Sequence, residues 1–162
     1  MVTQMYRLTP DNQLAFEDFY LPFGGKLRSD NRWVLLAKQI PWRQIEEDYA
    51  ANFSDTQTGC PAKPARVALG SLIIKERLGT TDRETVLQIA ENPYLQYFLG
   101  FHEYKDDVPF DHTLMTHFRK RFTTEMLTEI LSTTFLEARS VSPVKVTSIS
   151  LSQSIPNKSL AE

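Results

Sequence analysis

Residues that break helices punctuate this chain at short intervals, at Pro41, Pro64, Gly79, Pro93, Gly100 and Pro109. Proline lacks the N–H that a helix interior needs, and glycine readily takes the left-handed conformation that ends one, so each site starts or stops an element. Between the breaks, apolar residues recur at spacings of three and four, the period of a helix with one buried face. Asp30 ahead of Trp33, Val34, Leu35 and Leu36 reads as the N-cap of a short helix that stops before Pro41. A second helix then runs from Trp42 to about Asn52, with Ile45 and Tyr49 one turn apart. After a turn-rich loop over residues 57–64, Pro64 opens a helix through Leu78 whose apolar residues nearly surround its axis, which predicts a central position in the core. Thr81-Asp-Arg-Glu84 has the spacing of a capping box and begins the next helix, which runs to Asn92-Pro93. An aromatic segment, Tyr94 to Leu99, a polar loop from His102 to Pro109, and a helix capped by Asp111 complete the described pattern. A last helix is expected from Thr123 or Thr124 to about Phe135, and only residues 144–151 alternate as a strand would. The expectation is an all-α, multi-helix domain.

Composition narrows the function. No apolar run reaches the roughly 18–20 residues that span a membrane, and the N-terminus has no basic segment leading into an apolar one, so neither anchor nor leader is expected. The single cysteine, Cys60, excludes an internal disulfide framework and fits a cytoplasmic protein. Seven of 11 serines lie in residues 140–162, which divides the chain into a helical domain, 1–139, and a serine-rich tail, 140–162, expected to be poorly ordered.

A formal net charge of −2 argues against a nucleic-acid partner only if the charge is evenly spread, and it is not. Residues 82–111 hold seven acids and two bases, whereas residues 112–122 hold Arg119, Lys120, Arg121, two histidines and no acid. On a helix, Leu114, Met115, Phe118 and Phe122 share one face; Thr113, Thr116, His117 and Lys120 share the opposite one, flanked by Arg119 and Arg121. Such a face has the donors that phosphates and base edges require, although a merely solvated amphipathic helix has the same pattern. Other chemistries find less support. Asp106, Asp107, Asp111 and His112 lack helical ligand spacing and read as loop and capping residues, so no metal is expected. Cys60 has no neighbouring histidine to act as a base, and the six glycines are scattered rather than gathered in a phosphate loop, so no catalytic residue or cofactor is assigned. Tyr94, Tyr97, Phe98 and Phe101 suit either a stacking platform for single strands or, at helical spacing, a core.

Several motifs in order then carry a resemblance. They are Pro64-Ala-Arg-Val-Ala-Leu-Gly-Ser-Leu-Ile-Ile-Lys-Glu-Arg-Leu-Gly79, Thr81-Asp-Arg-Glu-Thr-Val86, Glu91-Asn-Pro-Tyr-Leu-Gln-Tyr-Phe-Leu-Gly100, Pro109-Phe-Asp-His-Thr-Leu114 and His117-Phe-Arg-Lys-Arg121. Over roughly residues 13–130 the chain resembles the N-terminal domain of bacterial insertion-sequence transposases of the InsH type. The resemblance implies a helical domain that binds the terminal inverted repeats of a mobile element. It also implies a separate catalytic domain in which three carboxylates hold divalent metal. No aspartate follows Asp111, so the expectation is a truncated fragment that binds double-stranded DNA and does not cut it. Arg119, Lys120 and Arg121 are expected at phosphates, Thr113, Thr116, His117 and Lys120 on the face toward the bases, and Lys75 and Arg77 as further phosphate contacts. The gap between residues 81–99 and 111–122 exceeds the turn of a standard helix-turn-helix and admits only a looser relative of it. The alternative is a helical interaction module that pairs with itself or inhibits a full-length transposase.

Overall fold

The computed structural model describes Tyr6, residues 16–51, Phe53 and residues 62–122. The expected helix after Thr123, the alternating segment 144–151, the serine-rich tail and Cys60 lie outside these residues. Among the described residues the regular elements are α1 (Arg32–Gln39), α2 (Trp42–Ala51), α3 (Ala65–Leu78), α4 (Asp82–Glu91), α5 (Pro93–Phe98) and α6 (Leu114–Arg121). Two short 3-10 turns precede them, and the described residues form no β-strand. The all-α expectation holds.

The breakers act where the sequence places them. Gly79 ends α3 at φ 64°, a left-handed conformation that glycine takes without steric cost, and its N–H returns to the Lys75 carbonyl at 2.8 Å. Pro93 occupies the first turn of α5, where a missing N–H removes no helical bond, and Asn92 caps that turn through Tyr94 N–H at 2.9 Å. Two caps differ from expectation by local geometry. Asn31, not Asp30, accepts the Trp33 N–H at 2.9 Å, because Asp30 is turned back onto the Arg28 guanidinium at 2.7 Å. Thr81 accepts the Glu84 N–H at 3.2 Å, but the Glu84 carboxylate accepts from Gln88 one turn along rather than closing the capping box.

α3 packs against α2, α4 and α6, the central position its all-round apolar pattern predicts. Val67, Ala68, Leu69 and Ile74 are buried on it, and Trp42, Tyr49, Phe98 and Phe118 fill the space around it. The Phe98 ring meets Trp33 and Trp42 at centroid distances of 5.3 and 5.4 Å. Tyr97 and Phe98 are therefore core, and Tyr94 and Phe101 pack partly buried against it. Of the two roles open to this aromatic segment, the structure selects the core.

Two buried charges secure the ends of α3 and α5. Glu46, on α2, accepts the Ala65 N–H at 3.1 Å, so a carboxylate sits at the positive end of α3. The Tyr6 hydroxyl donates to the same carboxylate, and burial together with that bond drives its pKa far up. Arg66, 3% exposed, donates from Nε to the Phe98 carbonyl at 2.9 Å and from a terminal nitrogen to the Tyr97 carbonyl at 3.1 Å. A cation thus reaches two carbonyls at the end of α5, of which that of Tyr97 also accepts the Gly100 N–H at 2.9 Å, and it lies 5.0 Å over the Trp42 ring.

Candidate nucleic-acid interface

α6 begins after a turn that Asp111 organises. Its carboxylate accepts the Thr113 N–H at 2.8 Å and the Thr113 hydroxyl at 2.6 Å, bonds that hold it below the usual carboxylate range. Asp111 therefore shapes the turn two residues ahead of the helix rather than capping Leu114 directly, and Thr113 stands at the cap position without a side-chain cap bond. The helix buries Met115 and Phe118 against α3 and leaves Thr116, His117, Arg119 and Lys120 exposed. Its apolar and polar faces are those the periodicity predicts.

The cations of α6 differ sharply in what they touch. Arg119 grips Asp82, the first residue of α4, through both terminal nitrogens at 2.9 and 2.8 Å, and also donates to Thr116 Oγ1 at 3.1 Å. The Lys75 ammonium lies 3.8 Å from the same Asp82 carboxylate and donates to the Thr80 carbonyl at 3.0 Å. The bond from Arg119 lowers the Asp82 pKa, and Asp82 raises that of Arg119. Arg121 donates to the Tyr49 hydroxyl at 3.1 Å and lies 5.1 Å from the Phe53 ring centre, half-buried against α2. Among the described residues, Lys120, His117 and Arg77 have no internal hydrogen-bond or ion-pair partner and are exposed.

The structure therefore brings Lys75, Thr116 and Arg119 together around Asp82. Arg121 stands apart against Tyr49 and Phe53, and Thr113 donates its hydroxyl to Asp111 at the surface. Sequence reasoning missed Asp82 as the counter-charge of this cluster, placing it only within a capping-box motif and among the seven acids of residues 82–111. Its pairing partner is 37 residues away, and the local signal is limited to two acids, Asp82 and Glu84, in the first turn of a helix. The three-residue connection of a helix-turn-helix also occurs, but between α3 and α4, through Gly79, Thr80 and Thr81.

A cleft of about 450 Å³ opens beside α5 and the 102–109 loop, bordered by Gln96, His102, Lys105 and Val108. Gln96, the buried polar group at its wall, has its amide fully committed to backbone: its nitrogen donates to the carbonyls of Ile89, Ala90 and Lys105, and its oxygen accepts the Lys105 N–H. The described residues contain no group of three or more histidine, cysteine or acidic side chains arranged to hold a metal ion. None of the described helices is long and apolar enough to cross a membrane.

Comparison with known proteins bears on these observations. Residues 22–121 match the family model described as a transposase domain (DUF772). The chain is also similar to a protein of Rhizobium meliloti described as uncharacterized protein ORF8 in the nfe locus. The two are 29% identical over 131 residues, which is 79% of this chain and 62% of that protein. No solved structure matches.

Proposed function

This chain belongs to the DUF772 transposase domain family, and from that premise we propose that its helical unit binds double-stranded DNA at the terminal inverted repeats of a mobile element. The observation that carries the reading is the outward face of α6. Its apolar side is held in the core by Met115 and Phe118, while Thr116, His117 and Lys120 stand in solvent on a helix that contains no acid. A rigidly seated helix with hydroxyl, imidazole and ammonium groups on its free side suits a major groove, where flexible donors meet base edges and cations meet phosphates. Lys120 and Arg77 are the foremost phosphate contacts, since neither has a partner among the described residues. Thr113, Arg119, Arg121 and Lys75 would contribute only by leaving or sharing the bonds they make. The reading assigns to this unit the holding of DNA in a cytoplasmic transposition reaction, and it assigns strand cleavage elsewhere.

Fluorescence anisotropy with a labelled terminal repeat and a scrambled duplex of equal length tests this. The repeat is expected to bind more tightly, and the double change His117→Ala/Lys120→Ala to weaken it, with the salt slope falling by about one unit for the lost phosphate contact. Equal affinity for both duplexes, or a double variant that binds as the parent does, would overturn the reading. The aromatic segment Tyr94–Phe101 is taken up by the core, so the rival reading as a module that pairs with itself or with a full-length transposase gains no specific support.

A further inference from the structure

The Asp82 carboxylate occupies a place with the chemistry of a phosphate site. Arg119 holds it through two parallel bonds at 2.9 and 2.8 Å, Lys75 stands 3.8 Å away, and Asp82 itself lies in the first turn of α4, where backbone N–H groups concentrate positive charge. A planar guanidinium engages carboxylates and phosphates with the same two-pronged geometry, so either anion can replace the other. The pair is also accessible. The Arg119 side chain is 44% exposed and that of Asp82 25%, so solvent reaches the pair mainly from the Arg119 side, and pairs in contact with water are weakly held. Arg121 offers a contrast, because it is half-buried against Tyr49 and Phe53 and pairs with no anion among the described residues.

The geometry points to Asp82 as a specificity-determining residue: its carboxylate competes with DNA phosphates for Arg119 and Lys75. The idea rests on the DNA-binding reading above. Non-specific association with DNA is almost wholly a count of cations available to phosphates. With Asp82 present, two cations of the cluster are withdrawn from that count, and arbitrary DNA meets chiefly Lys120 and Arg77. Where the α6 face finds its proper bases, the duplex is held long enough for phosphate to displace the carboxylate, and Arg119 and Lys75 join the contact. The internal anion thus weakens wrong complexes more than right ones, which is how discrimination rather than raw affinity is gained.

The test titrates the full chain against the terminal repeat and a scrambled duplex over a range of KCl. It compares Asp82→Asn with Glu91→Gln, a charge control at the exposed far end of α4. Both changes are also placed in an Arg119→Ala background, and circular dichroism checks folding. If Asp82→Asn fails to fold, Asp82→Ser, which suits a first turn, replaces it. Asp82→Asn is expected to tighten the scrambled duplex about 3- to 10-fold and steepen its salt slope by one to two units, as one or two cations become available. The ratio of repeat to scrambled affinity should fall, Glu91→Gln should change little, and most of the gain should vanish with Arg119→Ala. Equal gains from Asp82→Asn and Glu91→Gln, an Asp82→Asn gain undiminished by Arg119→Ala, or no gain in a chain that binds DNA would overturn the inference alone. Failure of the parent and every variant to bind either duplex would overturn the DNA-binding reading along with it.

Discussion

Arg66 and Arg119 are both arginines that tie one helix to the end of another, yet they do opposite things. Arg66 lies on α3, almost wholly out of water, and its partners include two backbone carbonyls at the end of α5. Burial pulls its guanidinium down to about 10, still charged at neutral pH. Arg119 lies on α6, close to half exposed, and its partner is the side-chain carboxylate that begins α4. An interior cation bonded to backbone exchanges partners only at high cost, because moving it would strip hydrogen bonds from a charge held out of water. A surface cation bonded to a surface anion can trade that anion for another at little cost. Burial, not residue type, separates an arginine that defines the fold from one free to act.

The largest effect that would break this contrast is expected at Arg66. Arg66→Met keeps much of the aliphatic volume but abandons both carbonyls and the contact with Trp42, and should cost about 2–4 kcal/mol in urea unfolding. A loss below about 1 kcal/mol would mean that water replaces the guanidinium easily. A smaller effect is expected one contact further out, at Gly100. Its φ of 82° is left-handed, and an added Cβ would lie 2.9 Å from Arg66 Cδ. Gly100→Ala should therefore destabilise by about 1–3 kcal/mol through strain and displacement of Arg66. The smallest stability effect belongs to the exposed pair. Asp82→Asn should change unfolding by no more than about 1 kcal/mol at neutral pH. Asp82 also gives that pair a pH signature. Its folded pKa lies below its unfolded one, so its contribution is complete above the unfolded value of 3.8 and is lost as pH falls through the lower, folded value. Acid unfolding curves of the parent and Asp82→Asn should therefore converge below about pH 4. Curves that stay parallel there would show that the Asp82 charge has no part in stability.

The same distinction explains what the sequence discloses. Gly79, Asn92-Pro93 and Thr81 act on backbone within a turn of themselves, so a reader of local pattern finds them. The faces of α6 follow from the helical period alone, and Met115 and Phe118 are buried where that period puts them. Asp30 and Asn31 show the grain of the method: two adjacent residues can each cap α1, and only the position of Arg28 decides between them. Arg66 escapes because its partners lie more than 30 residues on and are backbone atoms, which carry no residue-type signal. The cluster of Asp82, Arg119 and Lys75 escapes for a related reason. Counting cations in residues 112–122 finds a basic block, but how many of them are already engaged depends on which helices meet, and that is a property of the packed core.

The Gln96 amide has a bearing on how this chain could be lengthened. Its four bonds fasten Lys105 to the end of α4. Tyr20 fastens the same stretch from the other side, bonding at 3.0 Å to His102 and to Tyr104. What reads in sequence as an ordinary polar loop is therefore a gauge block of fixed length up to Lys105, and slack exists only at the exposed Asp106, Asp107 and Val108. Insertions and deletions between α5 and α6 should be accommodated at those three positions and rejected a few residues earlier, where they would shift the whole of α6 along its seat on α3.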